Sequence, residues 1–355
     1  MKKFTLLLLI ISAFIFPFNT VSAQDDNLAA AGTPGLKVYQ NYDFIPGDKI
    51  LFEDNFADDR DGEFPAHWEL KAGQAVLNKA PTGEKGLFLI DGNYAIVFPR
   101  MKTPAYLTDP FTIEYDFFAE PEGSFGLITA FKTKNEGEEL QLFISSAEVS
   151  FTPSGGTMLS KGTPGQDWTE NFRNHWHHIA IACRNHQMKI YIDQTRALVI
   201  PDTHADLVSV VFEGIGEQDH PVIFKDVRIA AGGEMNMIGK KFTESKIVTH
   251  GINFDIDKAT IKPESMGTLN MIVSVLKDNP DIKFEVDGHT DNSGTAAHNL
   301  ILSQQRAGAV KDQLVKMGID PSRLTAKGWG DTKPLSDNGS FEGKANNRRV
   351  EFVKI

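Results

Sequence analysis

The pattern of apolar and polar positions changes character along the chain of 355 residues. Between about residues 38 and 231, short runs of β-forming residues recur, for example at 111–117, 140–144 and 188–192, and Gly, Pro, Asn and Asp separate them. A region of roughly 190 residues made of short strands is typical of a sandwich. We therefore expect an all-β, jelly-roll-type sandwich over residues 38–235.

A second pattern follows a predicted linker at residues 236–245. Apolar residues recur at helical spacing over 263–278 and 295–317, and a strand with one buried face lies between them at 282–286. The order β-α-β-α-β-β predicts an α/β two-layer sandwich over residues 246–355, with both helices on one sheet. The residues expected to form the buried stripe of the longer helix are Leu300, Ala307, Val310, Leu314 and Met317.

The first 23 residues predict a secretory signal peptide. Two lysines precede an apolar run from Leu6 to Phe18, and Val21-Ser22-Ala23 has the small residues of a cleavage site. No later apolar run approaches the ~20 residues that a membrane-spanning helix needs. We therefore expect an exported chain with a flexible leader at residues 24–37 and no transmembrane segment after cleavage.

Composition and charge exclude several function classes. The single cysteine, Cys183, rules out an internal disulfide framework and a multi-cysteine metal cluster, and we expect it to be buried and unreactive. The formal net charge of −11 argues against nucleic acid as a partner, because phosphate binding needs a basic surface. It argues equally against electrostatic docking on anionic lipid.

Candidate chemistry lies where the predicted strand 282–286 leads into the longer helix. The loop carries Asp291, and one stripe of the helix carries Asn299, Ser303 and Arg306. An acid and an arginine facing one groove suit a zwitterion, because Arg306 can bind a carboxylate with two parallel hydrogen bonds while Asp291 accepts from an ammonium. The spacing alone is equally compatible with an ordinary surface ion pair.

Five sequence blocks of the C-terminal region occur in the order of a known family. They are FDIDKATIKPE (254–264), GHTDNSG (288–294), NLILSQQRA (299–307), GWGDTKP (328–334) and NNRRVE (346–351). Together they resemble the OmpA-like C-terminal domain and cover nearly all of residues 246–355. The resemblance implies non-covalent binding of peptidoglycan through the diaminopimelate residue of its stem peptide.

The same resemblance implies roles for single residues. Asp291 would bind the ammonium of diaminopimelate, and Arg306 would bind a carboxylate. Weaker matches in supporting positions are Asp257 and Arg349, and Asp255 and Asp257 stand where several relatives have other residues. The residues that would line the same groove are Thr290, Asn299 and Leu302.

The β-rich region has a second resemblance. The segments NHWHHIAI (174–181) and MKIYID (188–193) resemble laminin G-like and concanavalin A-like sandwich domains, although Gln194 stands in place of the expected turn glycine. Such domains bind glycans or proteins, and some are glycoside hydrolases. The acids on one face of a predicted strand depart from the hydrolase spacing, and we expect them to be solvated. These acids are Glu114, Asp116 and Glu120.

Two clusters invite a metal hypothesis. The histidines His175, His177 and His178 lack further ligands at the spacing of a metal site. An acidic loop with Asp54, Asp58, Asp59 and Asp61 could hold Ca²⁺ but lacks the glycine and glutamate of an EF-hand. We therefore expect neither a bound metal nor another cofactor.

These patterns together predict an exported, non-enzymatic envelope protein. We expect it in the periplasm, associated with the cell wall and the outer membrane, with peptidoglycan as its partner. It would link the cell wall to the outer membrane, or to a glycan or envelope protein that its β-rich region binds. The alternative is a wall-targeted, glycan-degrading enzyme with a concanavalin-like catalytic domain, which a hydrolytic carboxylate pair would favour.

Overall fold

The computed structural model describes most of the chain from residue 42 onwards. The described residues are 42–90, 94–119, 126–135, 137–145, 149–153, 160–162, 172–216, 220–233 and 242–355. The predicted signal peptide, the flexible leader, most of the predicted linker and Glu120 lie outside them. No helix in these ranges has the length and apolar character needed to cross a bilayer.

The region before residue 234 is built from strands. They are β1 (Lys49–Asp54), β2 (Trp68–Ala72), β3 (Gln74–Lys79), β4 (Lys85–Ile90), β5 (Tyr94–Pro99), β6 (Phe111–Ala119), β7 (Leu127–Thr133), β8 (Glu139–Ile144), β9 (Val149–Pro153), β10 (Ser160–Gly162), β11 (His175–Arg184), β12 (Gln187–Ile192), β13 (Thr195–Ile200), β14 (Leu207–Ile215) and β15 (Val222–Ala231). One antiparallel sheet has the order β13-β12-β11-β6-β15-β4-β3, with β1 also on β15. The other has the order β10-β9-β8-β7-β14-β5-β2.

The two sheets enclose one hydrophobic core. At the end of β1, Phe52 points into this core and Glu53 points outwards. Trp68 on one sheet packs against Phe224 on the other, with ring centroids 5.6 Å apart. These contacts confirm a β-sandwich, because each sheet buries one face against the other. The jelly-roll-type connectivity stays a prediction.

The C-terminal region is an α/β domain, as predicted. Its elements are β16 (Lys246–Thr249), a 3₁₀ turn (Pro263–Ser265), α1 (Met266–Asp278), β17 (Phe284–His289), α2 (Ala296–Lys316), a 3₁₀ turn (Pro321–Arg323), β18 (Leu324–Gly330), α3 (Phe341–Asn347) and β19 (Val350–Lys354). The sheet has the order β16-β19-β17-β18, and only β17 and β18 are parallel. The short helix α3, between the last two strands, was not predicted.

Helix α2 lies very close to the sheet because glycines face it. A Cβ on Gly328 would lie 2.3 Å from the backbone nitrogen of Gln304, and one on Gly288 would lie 2.4 Å from the carbonyl oxygen of Ser303. The first turns of α2 therefore bury small polar residues. The buried residues of the helix are Asn299, Ser303, Ala307, Val310 and Leu314.

The prediction that Leu300 belongs to the buried stripe is wrong, since its side chain is 50% exposed. The helix axis passes so close to the strands at Gly328 and Gly330 that Asn299 and Ser303 occupy the contact. Met317, at the other end of the stripe, is buried as predicted. Gly318 follows it at φ +94° and closes the helix, as the sequence indicates.

The outer face of the larger sheet is covered, which overturns a second expectation. Glu114 is 3% exposed, and Asp116 is ion-paired with His178 at 2.8 Å. The prediction of solvated acids is therefore wrong for Glu114 and Asp116, because the C-terminal region packs on this face, and Glu120 lies outside the described residues. Its Lys262 interacts electrostatically with Asp116 and Asp226 across the boundary.

Apolar and backbone contacts also join the two regions. Tyr42, Phe44 and Tyr191 belong to the same hydrophobic cluster as the buried face of α1. The side chain of Asn346 in α3 bonds to both the amide and the carbonyl of Ile50 on β1, each at 2.9 Å. All described residues belong to one compact unit.

Candidate functional site

The loop between β17 and α2 is held by hydrogen bonds from both sides. Asp291 Oδ1 accepts from the amide of Ser293 at 2.8 Å. The Asn299 side chain, in the first turn of α2, donates to the carbonyl of Asp291 at 3.1 Å. Thr290 donates its amide to the carbonyl of Gly330 at 3.0 Å. The backbone around Asp291 is therefore fixed by the sheet and the helix together.

Asp291 is ion-paired with an arginine that the sequence patterns did not single out. Arg348 Nη1 donates to Asp291 Oδ2 at 2.6 Å. Burial by itself would raise the pKa of Asp291, but the hydrogen bonds from Arg348 and Ser293 lower it below its ordinary value. Asp291 is therefore an anion at neutral pH.

Arg306 contacts backbone carbonyls and an aromatic ring. Its Nε donates to the carbonyl of Lys258 at 2.9 Å, and Nη2 donates to that of Asp255 at 3.4 Å. The guanidinium carbon lies 4.9 Å from the centre of the Phe254 ring. Within the part of the chain that the structure describes, no carboxylate lies within 4.0 Å of this guanidinium.

Arg306 is close enough to Asp291 for the two charges to interact electrostatically. Burial lowers the pKa of Arg306, whereas Asp257 and Asp291 raise it and Arg348 lowers it further. The side chain stays charged, because a guanidinium does not lose its proton in proteins. A half-buried cation without a carboxylate partner favours an anionic ligand.

The remaining predicted residues differ in how they are placed. Thr290 is 6% exposed, and its hydroxyl oxygen has no hydrogen-bond partner among the described residues. Asp257, at φ +55°, accepts from His298 Nε2 at 2.6 Å at the rim. Leu302 is half-buried on α2. The structure thus brings Thr290 and Asn299 to Asp291, with Asp257 near Arg306.

Arg349 points away from this group. It is buried and ion-paired with Glu351 at 2.6 Å, and it donates to the carbonyl of Lys333. The structure therefore does not bring Arg349 to Asp291, and Arg348 takes that place. The alternation of side chains along a strand could have predicted this difference. Arg349 and Glu351 are two residues apart, so they lie on the same face of the strand that starts at Val350, and Arg348 lies on the other face.

The polar clusters of the β-rich region have separate partners. His177 stacks on Phe172, while His178 lies between Asp116 and Glu114. Of the acidic loop, Asp54 and Asp59 come together with His67, each offering one ligand atom within 4.8 Å of the others. Among the described residues, these three form a group that could hold a metal ion.

Cys183 is buried, as predicted. Burial raises the pKa of its thiol to about 12, so that the reactive thiolate is not populated at neutral pH.

A known protein family matches part of the C-terminal region. Residues 253–348 match the model of the OmpA family. Outer membrane porin F of Pseudomonas fluorescens is 46% identical over 100 residues, which are 28% of this chain and 31% of that protein. Peptidoglycan-binding protein ArfA of Mycobacterium bovis is 40% identical over 107 residues, which are 30% of this chain and 33% of that protein.

A solved structure is also similar to this region. The cell wall anchor of the T6SS from Pseudomonas aeruginosa is 35% identical, with a TM-score of 0.29, and the match covers 31% of this chain and 80% of that one. The chain spans about a third of the length of porin F and ArfA. Residues 253–348 of this chain are an OmpA family domain.

Proposed function

We propose that the chain binds peptidoglycan non-covalently through the diaminopimelate residue of its stem peptide. The observation that carries this proposal is the presence of two opposite charges beside the N-terminal half of α2, which do not pair with each other. Asp291 is an anion whose backbone is fixed, and Arg306 is a half-buried cation without a carboxylate partner in the described chain. A ligand with an ammonium and a carboxylate on one carbon complements both groups.

Diaminopimelate offers this zwitterion when its distal centre is not crosslinked. Its ammonium would donate to Asp291, and its carboxylate would accept from Nη1 of Arg306 and from the second hydrogen of Nη2. The Thr290 hydroxyl, which has no hydrogen-bond partner among the described residues, and the Asn299 side chain would complete the polar wall, with Leu302 beside them. A lysine at the same place in the peptide has the ammonium but lacks the carboxylate.

Asp257 and Arg349 would support the site without touching the ligand's charges. Asp257 binds His298 and lies on the segment whose carbonyls hold Arg306. Arg349 is buried beside Glu351 and fixes the start of β19, next to Arg348.

The relatives' names support this function and its place in the cell. One relative is named a peptidoglycan-binding protein, and another is named an outer membrane porin. We propose that this chain is exported to the periplasm, where it links the cell wall to the outer membrane or to a glycan or protein that its β-rich region binds.

We further propose that the chain is a binding protein and not an enzyme. Glu114 and Asp116, the acids that a glycan-degrading sandwich would need, are ion-paired with His178 under the C-terminal region. A hydrolytic pair must face its substrate across an open cleft. The alternative of a wall-targeted hydrolase would need a different carboxylate pair.

A pull-down with purified sacculi that contain diaminopimelate tests the function. We expect the full chain to sediment with sacculi, and Asp291→Asn and Arg306→Gln to stay in the supernatant. The matched controls are Asp312→Asn and Lys316→Gln, exposed positions on α2, and they should sediment like the wild type. If Arg306→Gln sedimented as completely as the wild type, the assignment would be wrong.

A further inference from the structure

A row of alternating charges leads from the β-rich region to the proposed ligand site. Arg348, which donates to Asp291, binds Glu53 on β1 through its other terminal nitrogen. The second oxygen of Glu53 accepts from Arg228 at 2.9 and 2.6 Å. Arg228 in turn lies 3.5 Å from Glu114. The negative charge of Asp291 is thus connected to a row of charges in the other region.

Backbone register holds this row in place. Glu53 is the cross-strand partner of Arg228, and Arg228 is the cross-strand partner of Glu114. Arg228 also donates to the carbonyl of His250 and to the side chain of Asn253, at 3.2 and 2.9 Å, in the C-terminal region. The position of Glu53 is therefore set by a sheet and not by a loop.

We propose that Glu53 is a positioning residue for the ligand site and acts there through Arg348. This inference rests on the proposed function. An Arg348 shared between two carboxylates neutralises Asp291 less than one paired with Asp291 alone. Glu53 thereby leaves Asp291 enough negative charge to bind an ammonium, and the β-rich region sets the affinity of the OmpA family domain.

Glu53 keeps its charge under all ordinary conditions. Burial alone would raise the pKa of its carboxyl, but Arg228 and Arg348 lower it to about 2. The effect of Glu53 is therefore present at every pH at which wall binding would be measured.

The test is Glu53→Gln in the full chain, titrated calorimetrically with an uncrosslinked muropeptide that contains diaminopimelate. We expect binding to weaken about tenfold, within the range measured for coupled charges. The control is Glu342→Gln. Glu342 accepts from Lys102 at 2.9 Å and joins the same two regions, but this pair is exposed and does not involve Arg348 or Asp291. Its affinity should stay close to that of the wild type.

A second experiment, in the Arg348→Gln variant, distinguishes a positioning role of Glu53 from a general structural role. In Arg348→Gln, the additional change Glu53→Gln should leave the affinity unchanged, because the residue through which Glu53 acts is gone. If thermal denaturation shows that the Glu53→Gln variant is not folded, Glu53→Asp replaces it, both in the wild type and in Arg348→Gln. It keeps the charge beside Arg228 but shortens the reach to Arg348.

Equal affinity of wild type and Glu53→Gln would overturn the inference, and so would an equal loss in both backgrounds. A failure of the proposed function is recognised separately. In that case Asp291→Asn and Arg306→Gln bind the muropeptide as tightly as the wild type, and both proposals fall.

Discussion

Polar atoms without partners mark the surface around Asp291. Thr290 is the sharpest case, because its hydroxyl is buried next to a fixed backbone and has no hydrogen-bond partner among the described residues. A buried hydroxyl without a partner costs stability, so a ligand that hydrogen-bonds to it gains affinity.

We expect Thr290→Val to weaken muropeptide binding about 3- to 10-fold while the free energy of unfolding rises by about 1–2 kcal/mol, because the buried hydroxyl without a partner is removed. The control is Thr129→Val, whose hydroxyl bonds to buried Tyr115 at 2.7 Å. That change should cost about 1–2 kcal/mol without affecting binding. Chemical denaturation and calorimetric titration measure both quantities. A large stability loss with unchanged binding in Thr290→Val would argue that the hydroxyl serves the fold.

At the scale of elements, the close approach of α2 to the sheet builds the site. Gly288 and Gly328 lack the Cβ atoms that would push the helix away. Because of this, Asn299 reaches the carbonyl of Asp291, and Ser303 reaches the amide of Gly330 at 2.8 Å. The helix carries Arg306 two turns further on, so the same contact positions both charges.

We expect Gly328→Ala to destabilise the chain by more than about 2 kcal/mol and to weaken sacculus binding, because the new methyl group would overlap backbone atoms of α2. Gly308 lies on α2 as well, and a methyl group there would meet no atom within 4 Å apart from its chain neighbours and the backbone of the helix itself. Gly308→Ala should therefore stabilise the chain by about 0.5–1 kcal/mol, with binding unchanged. Thermal denaturation of the two variants checks this, and equal stabilities would contradict the account.

Local patterns were sufficient to predict the elements and part of the site. The helices over 263–278 and 295–317 follow from periodicity, and the loop of Asp291 follows from its place between a strand and a helix. Leu300 could not be predicted as exposed, since its spacing fits the buried stripe. Its exposure depends on glycines in another strand, which a helix pattern does not contain.

Contacts between distant segments explain the other differences. Glu114 and Asp116 alternate with apolar residues along the strand, which is the pattern of a solvent-facing side. They are buried because the C-terminal region covers this side of the sheet. Glu53 is 295 positions from Arg348 in the sequence, so no motif links the two. Arg348 itself stands inside a recognised block, and strand alternation could have separated it from Arg349.

At the scale of the whole molecule, buried charges join the β-rich region to the C-terminal region. Burial raises the pKa of Asp226 to about 6, and the Asp116 carboxylate adds to the increase. The folded chain therefore holds this proton more tightly than the unfolded chain does. The stabilisation is complete below the ordinary pKa of an aspartate and is lost as the pH rises through about 6.

We expect the wild type to lose about 1–2 kcal/mol of stability relative to Asp226→Asn between pH 4 and pH 6. Asparagine suits this position, where φ is +52°. Urea unfolding at several pH values measures the difference, with exposed Asp58→Asn as the charge-matched control. Parallel profiles of wild type and Asp226→Asn would show that this carboxyl does not hold a proton in the fold.

The central claim is that Asp291 and Arg306 recognise the two charges of diaminopimelate together. The most direct measurement is the dissociation constant of the full chain for two muropeptides that differ only in carrying diaminopimelate or lysine. We predict that the lysine form binds at least about tenfold more weakly to the wild type, because it lacks the carboxylate for Arg306. In Arg306→Gln this difference should disappear. Equal affinity of the wild type for both muropeptides would contradict the account.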